Sequence, residues 1–263
     1  HPKVISAVKN QLDKYLHVMV YGEFIQEPAV ELTKLLSGLL PDNLTTTYLT
    51  NSGTEAIEGS IKLARRATGR KEIIYAKKAY HGNTMGALSI MGVEERKEIF
   101  QPLLPDCNSI EFNNEKDILK ITSKTAGVVL ETIQGGAGFI VPKNNYLKKI
   151  KNRCSDVGAL LILDEIQPGF GRTGKLFGFE HYDISPDILA IGKGMGGGMP
   201  IGAFTASKEL MSLLSNNPKL GHITTFGGHP VIASAALATL KEITSTNLIE
   251  EALQKEILFR KEL

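Results

Sequence analysis

Hydrophobic residues recur with two different patterns along this 263-residue chain. Over residues 2–16 and 30–40 they recur at helical spacing, which predicts two amphipathic helices in an N-terminal segment, residues 1–45. Further along, short uninterrupted apolar runs alternate with helical patterns. Such alternation is typical of a parallel sheet that is covered on both faces. We therefore predict an α/β fold with a mostly parallel sheet sandwiched by helices.

Each of five predicted strands has polar groups at its last residue or within a few residues after it. The strands are residues 46–50, 72–76, 127–131, 159–163 and 188–191. The polar groups are, in the same order, Ser52 to Thr54, Tyr80 with His81, Glu131, Asp164 with Gln167, and Lys193. In open α/β sheets, ligands bind at the carboxyl ends of the strands. We therefore expect these side chains at one edge of the sheet.

The turn after the first strand is a candidate anion site. Ile57, Ile61 and Ala64 recur at helical spacing, so a helix is predicted to begin near Gly53. The first N–H groups of a helix are unpaired and its dipole is positive there, which favours a phosphate beside residues 52–54. A capping box between Ser52 and Glu55, which needs no ligand, is the alternative interpretation.

Lys193 follows an apolar strand and is surrounded by five glycines, at positions 192, 194, 196, 197 and 198. A buried lysine loses its proton more readily, which suits an amine that attacks a carbonyl group. The glycines leave room for a planar ligand. Their spacing also satisfies a dinucleotide-binding motif, but no amphipathic helix follows them and Pro200 comes soon after, so that interpretation is rejected. A glycine-rich loop with a solvated lysine remains the alternative.

An anion site, an aromatic ring at Tyr80, a carboxylate at Asp164 and an amine at Lys193 together match one cofactor, pyridoxal 5′-phosphate. Asp164 is expected to keep the ring nitrogen protonated, and Tyr80 to lie over the ring. An ordinary half-buried tyrosine is the alternative at position 80. No metal site is expected, because neither His81 nor the two cysteines has metal-ligand spacing.

Five motifs, in the right order, resemble the class III (subgroup II) aminotransferases of the fold type I pyridoxal phosphate superfamily, the group that includes acetylornithine, ornithine and 4-aminobutyrate aminotransferases. The motifs are Thr50-Asn-Ser-Gly-Thr-Glu-Ala56, Tyr80-His-Gly82, Leu163-Asp-Glu-Ile-Gln167 with Gly171-Arg-Thr-Gly174, Gly192-Lys-Gly-Met-Gly-Gly-Gly198, and Thr224-Thr-Phe-Gly-Gly228. The resemblance covers almost the whole chain, but only the central part of the family's length.

The resemblance implies a role for each matching residue. Lys193 corresponds to the Schiff-base lysine that also carries the proton, and Asp164 to the partner of the ring nitrogen. Gln167 would lie beside the ring hydroxyl. The remaining cofactor-binding assignments are Ser52, Gly53 and Thr54 at the phosphate, Tyr80 and His81 near the ring, Glu131 close behind the site, and Thr225, which would reach the phosphate of the neighbouring subunit in a homodimer with shared sites.

The implied reaction moves an amino group from an amino acid or an ω-amine to a 2-oxo acid. A mutase, racemase or decarboxylase of the same superfamily, and a scaffold protein that binds the cofactor without activity, are the alternatives. Two residues depart from the acetylornithine and ornithine aminotransferase pattern: Asn83 stands in place of arginine, and Gly136 in place of glutamate. The second departure puts a glutamate/2-oxoglutarate half-reaction in doubt.

Composition adds limits to these predictions. The chain is 42% hydrophobic and 22% charged with a formal net charge of +2, so neither nucleic acid nor an anionic membrane is an expected partner. Two isolated cysteines and the lack of a long apolar run favour a cytoplasmic protein. We expect residues 1–240 to form the large cofactor-binding domain. Residues 241–263 would begin a small C-terminal domain that is largely missing from a truncated chain.

Overall fold

The computed structural model describes residues 1–19 and 23–263. Within these ranges seven strands form one sheet, in the order β1-β7-β6-β5-β4-β2-β3. The strands are β1 Thr46–Thr50, β2 Glu72–Ala76, β3 Cys107–Ile110, β4 Thr125–Glu131, β5 Leu160–Asp164, β6 Ile188–Gly192 and β7 Gly202–Ala206. The five strands expected from the apolar runs are all present. Strands β3 and β7 were not expected.

The sheet is mostly parallel, as predicted. Neighbouring strands from β3 through β2, β4 and β5 to β6 run parallel, whereas β7 runs antiparallel to both β6 and β1. Strand β1 therefore points in the same direction as the five parallel strands. As a consequence, the carboxyl ends of six strands meet at one edge of the sheet, where an open α/β sheet binds its ligands.

Helices cover both faces of the sheet. They are α1 Pro2–Lys14, α2 Glu27–Leu39, α3 Gly53–Thr68, α4 Met85–Ser89, α5 Tyr146–Val157, α6 Lys208–Ser212, α7 Pro230–Ser245 and α8 Leu248–Glu262. Side chains alternate between the faces along each strand: Leu161 and Leu163 of β5 pack in the core with α2, α5 and α7, whereas Ile162 packs in the core with α3, α4 and α6. The predicted sandwich is confirmed.

Helix α3 has the buried face and the starting point that its sequence predicts. The predicted stripe of Ile57, Ile61 and Ala64 is buried on the sheet. Ser52 is the N-cap residue, and Gly69 ends the helix in a left-handed conformation with φ of 68°. These two signals fix where α3 starts and where it ends, and its start lies at the carboxyl end of β1.

The predicted boundary between the two domains, at residues 240–241, lies in the region of the last two helices, α7 and α8. Helix α7 continues through residue 240 and ends at Ser245, so a division at 240–241 would fall inside a helix. Helix α8 has no buried residue and exposes Leu253, Ile257 and Phe259. The assignment of residues 1–240 and 241–263 to two domains stays a prediction. No helix in the described part of the chain is both long enough and apolar enough to cross a membrane.

Candidate active site

A cavity of about 440 Å³ opens at the carboxyl edge of the sheet. Eight of the ten residues predicted for the site line it: Gly53, Thr54, Tyr80, His81, Glu131, Asp164, Gln167 and Lys193. Their strands explain the grouping, because Glu131 and Asp164 are direct partners across β4 and β5, and Lys193 directly follows β6. Ser52 lies behind the cavity as the cap of α3, and Thr225 lies outside its lining.

The start of α3 presents two N–H groups to the cavity. The Ser52 hydroxyl accepts from the Glu55 N–H at 3.3 Å, and the Ala56 N–H donates to the Ser52 carbonyl at 3.1 Å. The N–H groups of Gly53 and Thr54 have no acceptor within the described ranges. Both residues line the cavity, so the positive end of this helix faces it with two unpaired donors.

Only half of the predicted capping box is present. Ser52 accepts from Glu55 as expected, but the Glu55 carboxylate does not return to the Ser52 N–H. It accepts instead from the backbone N–H of Asn51 at 2.8 Å and from the Asn51 side-chain amide at 2.9 Å. The Asn51 amide in turn donates to the Thr224 hydroxyl at 3.0 Å. Glu55 therefore ties the turn to the 222–228 loop as well as to the helix.

Asp164 is a buried carboxylate with a fixed orientation. One oxygen, Oδ1, accepts from the Ile166 N–H at 3.0 Å, and the other, Oδ2, lies 2.8 Å from Nδ1 of His81. An ionised Asp164 can only accept, so Nδ1 of His81 carries the shared proton. The second ring nitrogen of His81, Nε2, is buried and has no partner among the described residues. A buried nitrogen without a partner is uncommon in folded proteins and points to a ligand or water there.

Glu131 is buried beside the same pair. Burial raises the pKa of its carboxyl to about 7, although the charges of His81 and Lys193 act in the opposite direction. Its Oε2 is buried without a hydrogen-bond partner in the described part of the chain. The cavity wall therefore holds one carboxylate fixed by two hydrogen bonds and another carboxyl group that titrates near neutrality.

Lys193 differs from the sequence-based expectation in one respect. Its side chain was expected to be buried at the mouth of β6, but it is exposed in this chain. Its Nζ donates to Oε1 of Gln167 at 3.2 Å. The Lys193 backbone is left-handed, with φ of 44°, a conformation that lysine rarely adopts. The burial expected from the sequence is therefore not found for the Lys193 side chain, whose amine instead contacts Gln167. This contact was not predicted from the sequence, which indicated only that Gln167 would lie beside the ring hydroxyl.

Tyr80 stands at the entrance with 37% of its surface exposed. Its hydroxyl accepts from the amide of Asn83 at 3.3 Å. Gly136 lies next to the Tyr80 side chain, and a Cβ added at Gly136 would meet nothing closer than the Tyr80 Cβ at 3.7 Å. That separation is an ordinary van der Waals contact, so packing at this point does not require glycine at position 136.

Thr225 is exposed, and its side chain makes no hydrogen bond to any residue in the described ranges. Its neighbour Thr224 holds Asn51 in the same chain, as described above. A threonine beside glycines often caps a turn of its own chain, which is the alternative role for Thr225, but here no hydrogen bond supports that role.

Sequence patterns did not reveal every residue of the cavity wall. Thr84, Ile166 and Pro168 also line it, and the His81–Asp164 contact joins residues 83 positions apart. The positions of Ile166 and Pro168 could have predicted that they line the cavity, because both flank Gln167 just after a strand. No local signal predicts the His81–Asp164 contact, because it depends on how β2 and β5 are placed in the sheet.

Known proteins are similar to this chain in sequence over most of its length. A sequence model of the family described as Aminotransferase class-III matches residues 1–263. The putrescine aminotransferase of Pectobacterium atrosepticum is 42% identical over 99% of this chain and 58% of its own length. The acetylornithine aminotransferase of Methanopyrus kandleri is 39% identical over 97% of this chain and 64% of its own length. The chain therefore spans about three fifths of the length of these relatives.

Solved structures agree with the sequence matches. The ornithine aminotransferase of Toxoplasma gondii superimposes with a TM-score of 0.91 at 28% identity, covering 99% of this chain and 63% of that one. An adenosylmethionine-8-amino-7-oxononanoate aminotransferase from Methanocaldococcus jannaschii gives a TM-score of 0.90 at 33% identity, over 100% and 65% of the two chains. With the family model matching from end to end, the chain belongs to the class III aminotransferases.

Proposed function

We propose that this chain forms the cofactor-binding part of a pyridoxal phosphate-dependent aminotransferase. The observation that carries the proposal is the single cavity that joins the start of α3, the Tyr80 ring, the Asp164 carboxylate and the Lys193 amine. Each of these groups suits a different part of one cofactor, and few other ligands need all four.

The residues fit the cofactor on chemical grounds. Two unpaired N–H groups, of Gly53 and Thr54, suit a phosphate. The buried Asp164 carboxylate suits a protonated ring nitrogen, and the exposed face of Tyr80 suits an aromatic ring. The buried, unpartnered His81 Nε2 and Glu131 Oε2 offer further polar contacts in the same wall. Gln167 would accept from the ring hydroxyl once Lys193 has turned away from it.

The bound cofactor would supply an aldehyde that captures amines and a protonated ring that withdraws electrons from the amine's carbon. Lys193 would then act as a base, taking a proton at Nζ and returning it to a different carbon. Asp164 would hold a proton on the ring nitrogen. His81, by donating from Nδ1, would keep the Asp164 carboxylate oriented.

Amine donors and 2-oxo acid acceptors are the proposed substrates. The named relatives act on putrescine and acetylornithine, which favours a donor with a primary amine at the end of a carbon chain. Gly136 contributes neither a side chain nor a charge next to Tyr80. A mutase, racemase or decarboxylase is less well supported, because these relatives carry aminotransferase names.

A homodimer with shared sites is proposed as well. A doubly charged phosphate needs more donors than the N–H groups of Gly53 and Thr54 alone. The exposed Thr225 hydroxyl has no partner among the described residues of its own chain. In a two-fold dimer each chain can supply this hydroxyl to the other's site and receive one in return.

The proposal is tested by loading the protein with pyridoxal phosphate, reducing it with borohydride and mapping the labelled peptide. The label should lie on Lys193 and should be absent from a Lys193→Arg variant. A label on Lys175 or Lys208 would contradict the assignment. Incubation with an amine donor before reduction should release the cofactor as pyridoxamine phosphate, whereas an inactive scaffold would return it unchanged.

A further inference from the structure

Glu58 lies on α3 one turn after Thr54, outside the lining of the cavity. Its Oε1 accepts three hydrogen bonds from the segment that follows Tyr80 and His81. The donors are the Thr84 hydroxyl at 2.5 Å, the Gly86 N–H at 2.9 Å and the Ala87 N–H at 3.2 Å. This carboxylate therefore joins the first turns of α3 to the beginning of α4.

Two glycines make this close approach possible. A Cβ at Gly82 would lie 2.2 Å from Oγ1 of Thr54 and 3.1 Å from its Cα. A Cβ at Gly86 would lie 2.1 Å from Oε2 of Glu58. The separations of 2.1 and 2.2 Å are far inside van der Waals contact. The 82–86 segment thus fits against Thr54 and Glu58 because two of its residues lack side chains.

The hydrogen bonds fix the direction of two hydroxyl protons. An ionised carboxylate only accepts, so the Thr84 hydroxyl donates its proton to Glu58. A hydroxyl has one proton, so in the 2.8 Å bond between Thr84 and Thr54 the donor is Thr54. The Thr54 hydroxyl proton therefore points at Thr84 and is not available to a ligand in the cavity.

We propose that Glu58 is a positioning residue for the phosphate end of the cofactor, acting through Thr84 and Thr54. Because it commits the Thr54 hydroxyl proton, the phosphate is bound in this chain by the N–H groups of Gly53 and Thr54 and not by the Thr54 hydroxyl. The same three bonds hold the segment that directly follows Tyr80 and His81 against α3. This inference rests on the proposed function, since it concerns the same cofactor.

Removing Glu58 has opposite effects on the two ends of the cofactor. The segment with Tyr80 and His81 loses an anchor, which weakens contacts with the ring. The Thr54 hydroxyl, however, becomes able to donate to the phosphate, and a negative charge near the phosphate disappears. The affinity for pyridoxal, which lacks the phosphate, should fall, while the contribution of the phosphate to binding should rise.

The test measures dissociation constants of pyridoxal phosphate and of pyridoxal by absorbance titration, without substrate. The ratio of the pyridoxal constant to the pyridoxal phosphate constant reports the contribution of the phosphate. In Glu58→Ala this ratio should rise about tenfold over wild type, the effect of one additional hydrogen bond to a charged group. Thr84→Val keeps Glu58 but removes the hydroxyl between it and Thr54, so the ratio should rise there too.

Glu72→Gln is the matched control. Glu72 also accepts from a threonine hydroxyl, that of Thr125 at 2.5 Å, but it does so at the amino end of β2, away from the cavity. Neither dissociation constant should change in this variant. A ratio that stays constant or falls in both Glu58→Ala and Thr84→Val would overturn the inference, because a merely structural role weakens both ligands equally. Wild-type protein that binds pyridoxal phosphate no more tightly than pyridoxal would overturn the proposed function itself.

Discussion

Lys193 combines an exposed side chain with a strained backbone. Its φ of 44° places the Cβ close to the following carbonyl group, which costs about 1–2 kcal/mol for any residue other than glycine. Glycine at this position would fit better, yet the chain has lysine, flanked by Gly192 and Gly194. Strain of this kind persists where the surrounding structure imposes it, and it is concentrated at functional sites. Ten other described residues that are not glycine also have a positive φ, so the backbone strain fits the proposed role of Lys193 without singling this residue out.

Two substitutions of Lys193 measure the free-energy cost of its left-handed backbone apart from the loss of its amine. Lys193→Gly should be more stable than Lys193→Ala by about 1 kcal/mol, because only glycine adopts this φ without strain. Both variants lack the amine, so both should lose the borohydride label. Urea denaturation without cofactor compares the two free energies of unfolding. Equal stabilities would mean that the left-handed backbone at Lys193 carries no strain.

Glu131 should make the stability of the fold depend on pH. Its pKa is about 7 in the folded chain against an ordinary value of 4.5. Between these values the folded state keeps a proton that the unfolded state has released, so stability falls as pH rises from 4.5 to 7. In a Glu131→Gln variant the side chain is neutral at every pH, so its stability does not fall for this reason. Its free energy of unfolding relative to wild type should therefore increase by up to about 3 kcal/mol over that window.

Urea denaturation at pH 5 and pH 8 measures the difference. Glu165, whose pKa burial also raises to about 7, is present in both proteins and cancels from the comparison. Glu95→Gln, a substitution at an exposed glutamate, is the control and should leave the pH profile of wild type unchanged. A Glu131→Gln profile parallel to that of wild type would show that Glu131 is ionised throughout.

At the scale of elements, β7 supports the turn that begins α3. It pairs with β1 and β6 in antiparallel register, with Gly202 opposite both Thr50 and Gly192. A Cβ at Gly202 would lie 2.1 Å from the Ser52 carbonyl oxygen and 2.4 Å from its carbon. These are backbone atoms and cannot rotate away. The position of the Ser52–Thr54 turn therefore depends on a glycine 150 residues later in the chain, Gly202.

Gly202→Ala should displace that turn and destabilise the chain by about 1–3 kcal/mol, as overpacking of a close contact does. The affinity for pyridoxal phosphate should fall with it, because the turn carries the two unpaired N–H groups. Gly38→Ala is the control, since nothing lies within 4 Å of a Cβ at this position in α2. The free energy of unfolding of that variant should rise by about 0.5–1 kcal/mol, because alanine has a higher helix propensity than glycine. Unchanged cofactor affinity in Gly202→Ala would show that the position of the Ser52–Thr54 turn does not affect cofactor binding.

At the scale of the whole molecule, the proposed shared site predicts complementation between two defective chains. A Thr225→Val chain and a Lys193→Ala chain should each be weak or inactive. If Thr225 serves the partner's site, the mixed dimer has one site with both lesions and one with neither. Aminotransferase activity should then rise on mixing. No gain after verified subunit exchange, or a monomer in sedimentation, would count against a shared site.

Thr224→Val provides the control for this experiment. The Thr224 hydroxyl accepts from Asn51 of its own chain at 3.0 Å, so its loss affects the site in the same chain. Mixing Thr224→Val with Lys193→Ala should therefore produce no intact site and no gain in activity. Activity would then rise on mixing for the Thr225 variant and not for the Thr224 variant, because Thr225 contributes to the partner's site and Thr224 to the site of its own chain.

The sequence by itself was enough to predict most of the strands and helices and the faces that they bury. Apolar runs such as those of β5 and β6 report local burial directly, because a strand covered on both faces has no polar alternation. The stripe of Ile57, Ile61 and Ala64 likewise predicted α3 and the face that it buries. Strand β7, with the sequence Gly-Ala-Phe-Thr-Ala, escaped prediction because its short run carries glycine and threonine and follows a glycine-rich loop. Its antiparallel direction has no local signature at all.

The gathering of cavity residues at one edge followed from the sequence, since parallel strands end together. What only the tertiary structure decided is how these residues meet. The His81–Asp164 bond, the Glu58–Thr84–Thr54 chain and the exposure of Lys193 depend on strand order, on crossovers and on where glycines let segments approach. Periodicity records whether a residue is buried, but contacts between distant residues are fixed by the packing of whole elements, which no local pattern encodes.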